Sequence, residues 1–517
     1  MAQQRPDQVW LLEVDGGQLT FGEAHIEALQ AATFFAGLGV GRGDRVGLFM
    51  TSGCDFVRAW LGLGKIGATS VLFNSELRAS FLQHQLNHSG VRTLVVHASL
   101  LAELIPLAQR LPLLADIVVV GEPPDVLPAQ WKVSSWADFK ISPRWTGADP
   151  DASEIACIMY TSGTSGPSKG VMMPHAHCAL YGIGALRSLD IVNNDRYYIT
   201  LPLFHANGLF MQLGATLLAG ISAVIRPKFS ASRWLHDIRS YHCTVTNLLG
   251  ATAAFIISQP ESQSDGQHTL RAVLSAPNIR LHEDAFRRRF KVRDVISGFG
   301  MTECNLPVWG KVGSSAPGAA GWVHADHFEV QIVDGATDAA LAHGMTGEIV
   351  VRPKVPFGFM AGYLNEPQKT VDAWRNLWFH TGDAGQMDAD GLVTFIDRLK
   401  DCIRRRGENI SPGEIEAVVL GLPRISEAAV YAVASDIPGA EDEIMLAVVC
   451  ESGEPLALRQ IVEQAGAQLP RFAIPRYVSQ LNELPKTATG KVQRAVLRNR
   501  GIEGALDLAL VSVVAPD

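Results

Sequence analysis

The 517-residue chain has few cysteines, no excess of basic side chains and no long uninterrupted apolar run. Its seven cysteines are scattered and form no C-x-x-C pair, so we expect reduced thiols in a cytoplasm rather than disulfides or a zinc site. Its 44 Lys and Arg against 52 Asp and Glu give a net charge of -8, which argues against general nucleic-acid binding. Without an apolar run of about 18 residues, no membrane span is expected.

The first residues are polar, and the overall composition is typical of a soluble globular protein. Residues 1–6 contain no apolar stretch, so no signal peptide is expected. Hydrophobic residues make up 47% of the chain and charged residues 19%. The length exceeds what one ordinary hydrophobic core holds, so two or more domains are expected.

Short β-rich runs alternate with amphipathic stretches in the N-terminal part. Residues 56–66 have helical spacing. The predicted strands are residues 45–50, 70–73, 93–96, 117–120, 197–201 and 223–225. Strands that alternate with helices predict a largely parallel sheet with helices on both faces. From about Gly321 the strands are closely spaced with polar turns, which predicts an antiparallel β-rich subdomain.

A domain boundary is predicted close to residues 397–401. After it the pattern indicates helices over 412–420 and 458–467 and strands over 428–434 and 444–450, with an edge strand or weak order over 506–514. The predicted fold class is therefore α/β, with a large N-terminal domain of layered sheets and helices and a small α+β C-terminal domain. The predicted domains are residues 1–399 and 401–517.

The segment 160–170 combines glycines, hydroxyl side chains and one lysine, directly after the apolar run 155–159. Glycines let backbone N–H groups turn toward an anion, hydroxyls donate to phosphate oxygens, and a lysine adds positive charge. The segment is not a Walker A loop, because Ser168 precedes Lys169 and Gly170 follows it. By itself, such a segment also fits a flexible linker.

Further polar, glycine-containing segments lie downstream. His205 follows a predicted strand, where α/β sheets place ligands, although a structural histidine fits equally well. Phe299 and Glu303 pair an aromatic face with a carboxylate, as a nucleotide base and a divalent cation would require. Asp383 follows a glycine and suits ribose hydroxyls, although an aspartate at a turn is usually a cap. Residues 404–410 combine cations with a glycine, and Lys491 lies on a glycine-flanked turn.

Taken in this order, these segments resemble the adenylate-forming superfamily of acyl-CoA synthetases, luciferases and peptide-synthetase adenylation domains. The resemblance runs from about Phe21 to Arg498, and residues 401–411 look most similar to carnitine/crotonobetaine-type and related bacterial CoA ligases. It implies a two-step reaction with ATP, Mg²⁺ and coenzyme A. A carboxylate displaces pyrophosphate from ATP to form an acyl-adenylate, and a thiol then displaces AMP to give a thioester.

The resemblance also implies roles for individual residues. Glu303 would hold the metal ion, and Lys491, His205, Thr302 and Glu303 would be catalytic. The residues that would bind ATP or AMP are Thr161, Ser162, Gly163, Thr164, Ser165, Gly166, Lys169, Ser275, Ala276, Pro277, Phe299, Gly300, Met301, Thr302, Asp383 and Arg398. The residues that would face CoA are Arg404, Arg405, Gly407 and Glu408. The acyl pocket would include Asn207, Gly208, Met211, Gly214, Asn247, Gly250 and Gly298.

In the family a hinge matching Lys400 rotates the C-terminal domain between the two half-reactions, which moves the residue matching Lys491 out of the site. Three positions depart from the commonest family pattern. Ser275 stands where glycine is usual, Phe299 where tyrosine is usual, and residues 278–280 where an apolar residue and proline often follow. An alternative that is consistent with these changes is an enzyme that mainly forms the thioester from a supplied acyl-adenylate. The intact phosphate segment, Glu303 and Lys491 favour the complete reaction.

Two alternative functions are considered, one with a different thiol acceptor and one without catalysis. A ligase that loads a carrier protein is the nearest alternative, and Arg404 and Arg405 favour free CoA over it. A nucleotide-binding regulatory protein without catalysis is the alternative from another class, and Lys491 and Glu303 argue against it. The pocket set carries no arginine, lysine or carboxylate, which predicts a neutral, apolar acid, bulky ones included. Small-molecule partners are expected, and a homodimer is compatible with the sequence.

Overall fold

The computed structural model describes residues 1–161, 167–276, 280–314, 316–398, 403–450, 457–486 and 492–509, with the backbone alone at 397, 398, 409 and 495. The strands are β1 Val9–Glu13, β2 Gln18–Thr20, β3 Arg45–Phe49, β4 Thr69–Leu72, β5 Thr93–His97, β6 Asp116–Val120, β7 Lys132–Ser135, β8 Ile155–Thr161, β9 Lys169–Pro174, β10 Arg196–Ile199, β11 Ser222–Ile225, β12 Val245–Leu249, β13 Ala272–Ala276, β14 Asp294–Ile296, β15 Gly298–Met301, β16 Asn305–Trp309, β17 Gly321–Val323, β18 Phe328–Val333, β19 Gly347–Pro353, β20 Gly362–Tyr363, β21 Phe379–Met387, β22 Leu392–Arg398, β23 Ile403–Arg405, β24 Glu408–Ile410, β25 Ile425–Val433, β26 Glu443–Cys450, β27 Tyr477–Gln480 and β28 Leu506–Asp507.

The helices are mostly short and connect the strands. The α-helices are α1 Phe21–Gly37, α2 Cys54–Lys65, α3 Ala79–Ser89, α4 Leu101–Leu104, α5 His175–Ser188, α6 Ala215–Ala219, α7 Ala231–Ser240, α8 Gly250–Ile257, α9 Arg280–Arg288, α10 Pro367–Ala373, α11 Pro412–Leu420, α12 Leu458–Gly466 and α13 Arg494–Arg500. A π-helix covers Asn207–Gly214, and short 3₁₀ helices cover Ala98–Leu100, Ile105–Arg110, Trp136–Ile141, Arg375–Leu377 and Arg471–Ala473.

The parallel strands form two sheets, where the sequence pattern predicts one. The described strands of the first sheet have the order β14-β13-β12-β10-β11-β1-β2, and those of the second have the order β20-β9-β8-β4-β3-β5-β6-β7. In the first sheet β1–β2 is antiparallel, and the pairs β14–β13, β13–β12, β12–β10, β10–β11 and β11–β1 are parallel. In the second sheet β9–β20 is antiparallel, and the pairs β8–β4, β4–β3, β3–β5, β5–β6 and β6–β7 are parallel. Hydrophobic periodicity indicates that a strand is buried but not which sheet it joins. The division of the parallel strands into two sheets was therefore not predictable.

A third sheet is antiparallel throughout, as predicted for the region after Gly321. Its order among the described strands is β15-β16-β17-β22-β21-β19-β18. The sheet begins earlier than predicted, because the hairpin β15–β16 is already part of it. Each neighbouring pair in it is antiparallel.

The contacts divide the chain into two compact units. The first unit is Met1–Ser75, Gln85–Tyr160 and Gly170–Leu399, and the second is Glu76–His84, Thr161–Lys169 and Lys400–Asp517. The second unit therefore includes two segments that the predicted boundary near residue 400 leaves in the N-terminal part. The predicted α/β fold class, with a large sheet-and-helix part and a small part built on its own sheet, is confirmed.

The second unit contains the sheet β25-β26-β27-β28, which has apolar clusters on both faces. Along β26, Ile444, Leu446 and Val448 belong to one cluster, whereas Met445 and Ala447 belong to the other. A strand buried on both faces is apolar at every position rather than at alternate ones, which explains the continuous apolar run in the sequence. The helix predicted over 412–420 is α11, and the strand predicted over 444–450 is β26.

Candidate active site

The predicted phosphate segment lies between β8 and β9. Thr161 ends β8 and Lys169 begins β9, so the structure places the two ends of the segment. Ser162, Gly163, Thr164, Ser165 and Gly166 lie outside the described residues, and their phosphate-binding role stays a prediction. Helix α5 begins directly after β9, so the strand that leaves the segment continues into this helix.

Within the second unit, the backbone N–H of Ser168 donates to Glu414 Oε1 at 2.9 Å. Glu414 lies in the first turn of α11, and burial raises the pKa of its carboxyl to about 7. Sequence reasoning missed this carboxylate. An acidic side chain in a first helical turn is so common, because it favours the helix dipole, that the position carried no functional signal.

Thr302 and Glu303 lie on a tight turn between β15 and β16, which we call the Glu303 turn (residues 301–305). The N–H of Cys304 donates to Met301 O at 3.2 Å, and Asn305 adopts a left-handed φ of 68°. A Cβ at Gly300 would lie 2.2 Å from Asn305 O. Only glycine allows the two strands to approach this closely beside the turn.

Three consecutive backbone carbonyls of the Glu303 turn lie within hydrogen-bond distance of groups outside it. Tyr181 Oη donates to Met301 O at 2.7 Å, and His177 Nε2 lies 3.0 Å from Thr302 O. The N–H of Met360 donates to Glu303 O at 3.1 Å. Sequence reasoning missed these anchors. The i, i+4 spacing of His177 and Tyr181 on α5, which places both on one helix face, was the available signal.

Glu303 is 4% exposed, and its carboxylate accepts a hydrogen bond from Tyr363 Oη at 3.0 Å. Burial, together with the charge of Glu303, raises the pKa of Tyr363 and keeps its hydroxyl a donor. Within the described ranges, no group of three or more His, Cys, Asp or Glu side chains is arranged to hold a metal ion. Mg²⁺ is commonly held by one or two carboxylates plus substrate phosphates, so a single buried carboxylate fits this cation.

The described residues predicted around adenine and ribose lie on the strands β13, β15, β21 and β22. Ser275 and Ala276 end β13, and Pro277 lies outside the described residues. Phe299 is 8% exposed, and its ring stacks on Phe395 with centroids 6.2 Å apart. Asp383 on β21 is buried and opposes Arg398 on β22 in the strand register. Of Arg398 only the backbone is described, so its ribose contact stays a prediction.

Two of the predicted acyl-pocket residues, Asn207 and Asn247, belong to a network of side-chain amides. Tyr197 Oη donates to Asn247 Oδ1 at 2.6 Å, and Asn247 Nδ2 donates to Asn207 Oδ1 at 2.8 Å. Gln212 Nε2 donates to the same Asn207 oxygen at 3.2 Å. Among the described residues, no donor is paired with the buried Gln212 Oε1. The sequence pattern missed Tyr197 and Gln212, because polar residues in apolar runs carry no sign of their partners.

The π-helix carries several of the predicted pocket residues. Asn207, Gly208, Met211 and Gly214 lie on it, and His205 lies just before it beside Phe204, with ring centroids 4.7 Å apart. A Cβ at Gly208 would lie 2.3 Å from Pro202 O, so this glycine has a packing role. Rare π-helical segments often occur at functional sites. Gly250 begins α8 and Gly298 begins β15.

The predicted CoA-facing residues share the β23–β24 hairpin. Arg406 and Gly407 both have positive φ values, 53° and 85°, as a two-residue type I′ turn requires. Arg404 Nε donates to Glu441 Oε1 at 2.9 Å, and its side chain is 34% exposed. Arg405 Nε lies 2.6 Å from Glu443 Oε2, and its side chain is only 7% exposed. The CoA roles stay predictions, and the environment suits Arg404 better than Arg405.

Two further predicted site residues, Lys400 and Lys491, lie outside the described residues. Their hinge and catalytic roles stay predictions. In the part of the chain that the structure describes, no helix has the length and apolar character needed to cross a membrane.

Parallel sheets, a buried carboxylate and a glycine-rich segment in the sequence are together features of a nucleotide-using α/β enzyme. The family model described as AMP-binding enzyme matches residues 1–364, and the model of the AMP-binding enzyme C-terminal domain matches residues 414–491. The chain therefore belongs to the AMP-binding enzyme family. The predicted resemblance to adenylate-forming ligases and the predicted enzyme class, an acid–thiol ligase, are confirmed. ATP, Mg²⁺ and CoA are the substrates and cofactor expected of such ligases, as predicted.

Similar proteins extend along most of the chain. The long-chain-fatty-acid–CoA ligase FadD13 of Mycobacterium tuberculosis is 29% identical over 504 residues, which cover 93% of each chain. The crotonobetaine/carnitine–CoA ligase of Salmonella typhi is 28% identical over 491 residues, with 93% of each chain covered. The structure of the o-succinylbenzoate CoA synthetase of Bacillus subtilis covers 98% of both chains with a TM-score of 0.81 at 23% identity, which shows the shared fold.

Proposed function

We propose that this protein is an acyl-CoA ligase that converts a carboxylic acid to an acyl-adenylate with MgATP and then to an acyl-CoA thioester. The observation that carries the proposal is the match of both family models, one over residues 1–364 and one over residues 414–491. Named CoA ligases that align with 93% of the chain support CoA as the acceptor.

In the first step an acid oxygen attacks the α-phosphorus of ATP and pyrophosphate leaves. The attack joins two anions, so it needs positive charge and N–H donors around the phosphates. The segment 161–169 would supply the donors, and Lys491 would contact the acid and the α-phosphate. Mg²⁺ held by Glu303 would neutralise phosphate charge. The buried Glu303 carboxylate, oriented by Tyr363, is suited to this task.

In the second step the CoA thiol attacks the acyl carbon and AMP leaves. AMP is a far better leaving group than the oxide of a free carboxylate, which is why the first step is needed. A rotation about Lys400 would remove Lys491 and bring residues 404–408 to the thiol channel. The partly exposed Arg404, on a hairpin stabilised by Glu441, supports a contact with CoA phosphate groups.

The proposal is tested by measuring CoA-dependent AMP release over a panel of carboxylic acids. Single-turnover rates of thioester formation should be comparable when the enzyme starts from acid plus ATP and from a synthetic acyl-adenylate. Phe299 keeps an aromatic face for stacking, and one lost hydroxyl costs about 0.5–1.5 kcal/mol, or roughly tenfold at most. Pyrophosphate release at background, with normal use of the synthetic adenylate, would instead support an enzyme that receives its adenylate ready-made.

We propose that the acyl group of the acid is neutral and largely apolar. The predicted pocket set has no charged side chain to pair with a second carboxylate or with an ammonium group. An uncompensated charge is costly to bury, so we expect monocarboxylic acids to compete better than dicarboxylic acids of equal length by about 100-fold. Competition binding with acids graded by size and charge measures this preference. A clear preference for acetate or malonate would contradict it.

A further inference from the structure

The Glu303 turn is tied to β9, the strand that follows the phosphate segment, by two separate routes. One route is α5, which continues from β9 and carries His177 and Tyr181. The other is the segment 360–363. Ala361 N donates to Met172 O at 2.8 Å, and the strand β20 pairs with β9. The same segment supplies the Met360 N–H and the Tyr363 hydroxyl that bind Glu303.

The hydrogen-bonding role of His177 follows from its neighbours. The imidazole lies between two backbone carbonyls, with Nε2 3.0 Å from Thr302 O and Nδ1 3.0 Å from Gly358 O. We assign the Nε2–H tautomer, which donates to the Glu303 turn and leaves Nδ1 to accept from Asn305. Asn305 Nδ2 lies 3.3 Å from Nδ1 and also donates to the backbone carbonyl of His177 at 2.8 Å. His177 thus contacts both sides of the Glu303 turn and is fully buried.

These contacts hold three successive carbonyls of the Glu303 turn, and the hydrogen bond from Tyr363 orients the carboxylate. A turn held at one carbonyl can still rotate about that contact. Three held carbonyls restrict the backbone of the turn and therefore fix the direction of the Glu303 Cα–Cβ bond. Such supporting hydrogen bonds are how proteins orient metal ligands. The two routes through β9 therefore relate the carboxylate to the strand that leaves the phosphate segment.

We propose that His177 and Tyr181 are positioning residues that hold the Glu303 turn in register with β9, so that metal and nucleotide phosphates are bound together. This inference rests on the proposed function, in which Glu303 binds the metal ion. Both side chains are buried, His177 at 0% and Tyr181 at 3% exposed. Their effect is exerted through the backbone of residues 301 and 302.

The test measures Mn²⁺ affinity by electron paramagnetic resonance in the presence of a non-hydrolysable ATP analogue. Tyr181→Phe and His177→Ala should each weaken Mn²⁺ binding by about two- to tenfold, the range of one lost hydrogen bond. His177→Gln should recover most of the affinity, because its amide N–H reaches about as far as Nε2. Thioester formation from a synthetic acyl-adenylate, which involves no metal-bound phosphate, should stay unchanged.

Matched controls separate positioning from general stability. Tyr198→Phe removes a buried hydroxyl that donates to Asp237 at 2.6 Å, and His282→Ala removes a buried imidazole whose nitrogens have no hydrogen-bond partner among the described residues. Both controls should lower the thermal unfolding midpoint without changing Mn²⁺ affinity. If Tyr181→Phe and His177→Ala leave Mn²⁺ affinity unchanged, or if the controls weaken it equally, the inference is wrong.

Glu303→Gln distinguishes this inference from the function on which it rests. If Glu303→Gln weakens Mn²⁺ binding and the Tyr181 and His177 variants do not, only the positioning role fails. If Glu303→Gln itself leaves Mn²⁺ affinity unchanged, the metal role of Glu303 fails and the positioning role fails with it.

Discussion

Replacing Lys491 by alanine should slow acyl-adenylate formation by about 100- to 1,000-fold, the effect of removing one donor that stabilises developing charge. Thioester formation from a supplied acyl-adenylate and CoA should change little, because Lys491 leaves the site in the second step of the proposed mechanism. The two half-reactions are measured separately, the first as ATP–pyrophosphate exchange and the second as CoA-dependent AMP release from the synthetic adenylate.

Lys486→Ala is the matched control for this experiment. Lys486 precedes Lys491 by five positions, and its ammonium group lies 2.5 Å from Glu427 Oε2. Its removal eliminates a partly exposed ion pair, which contributes at most about 1 kcal/mol of stability, and both half-reactions should proceed at the original rates. Equal losses in both half-reactions for Lys491→Ala would mean that Lys491 has a structural role or that the domain rotation does not occur here.

Replacing Glu303 by glutamine should reduce ATP–pyrophosphate exchange by about 100-fold, since a bound metal ion contributes several kcal/mol to charge stabilisation. Glutamine keeps the shape of the side chain and an oxygen that can accept the hydrogen bond from Tyr363. The substitution therefore removes the charge and leaves the local packing in place. The Mg²⁺ concentration that gives half-maximal ATP–pyrophosphate exchange should rise, whereas thioester formation from the synthetic adenylate should be retained.

Glu283→Gln provides a control of similar burial. The Glu283 side chain is 2% exposed and accepts a hydrogen bond from Arg287 Nε at 2.9 Å on α9. This variant should lose some stability, because a buried ion pair loses one charge, and should keep its exchange rate and Mg²⁺ requirement. An unchanged exchange rate in Glu303→Gln would exclude Glu303 as the metal ligand.

Phe299 and Ser275, which depart from the commonest family pattern, lie in different environments. The Phe299 ring packs against Phe395 in a stacked arrangement, and such a contact needs no hydroxyl. Ser275 is fully buried near the end of β13. Phe299 therefore packs against an apolar side chain. This supports the interpretation that phenylalanine is tolerated here in place of the usual tyrosine.

The sequence by itself determined the family and part of the local structure. Glycine-rich and charged segments occur in a fixed order along the chain, and the family matches confirm the relationship that this order indicated. Helix α11 and strand β26 were predicted nearly to the residue. Both signals are local, because periodicity and turn chemistry depend on neighbours within a few positions.

Only the tertiary structure decided which strands share a sheet and which side chains support the candidate metal ligand. Tyr181 and Met301 are 120 positions apart, and His177 and Thr302 are 125 apart. The Tyr363 hydroxyl reaches Glu303 across 60 positions. Local propensity carries no information about such pairs, because their hydrogen bonds depend on how α5 and β20 both contact β9. The sequence thus indicated Glu303 as a ligand, and the packing of these elements decided how it is held.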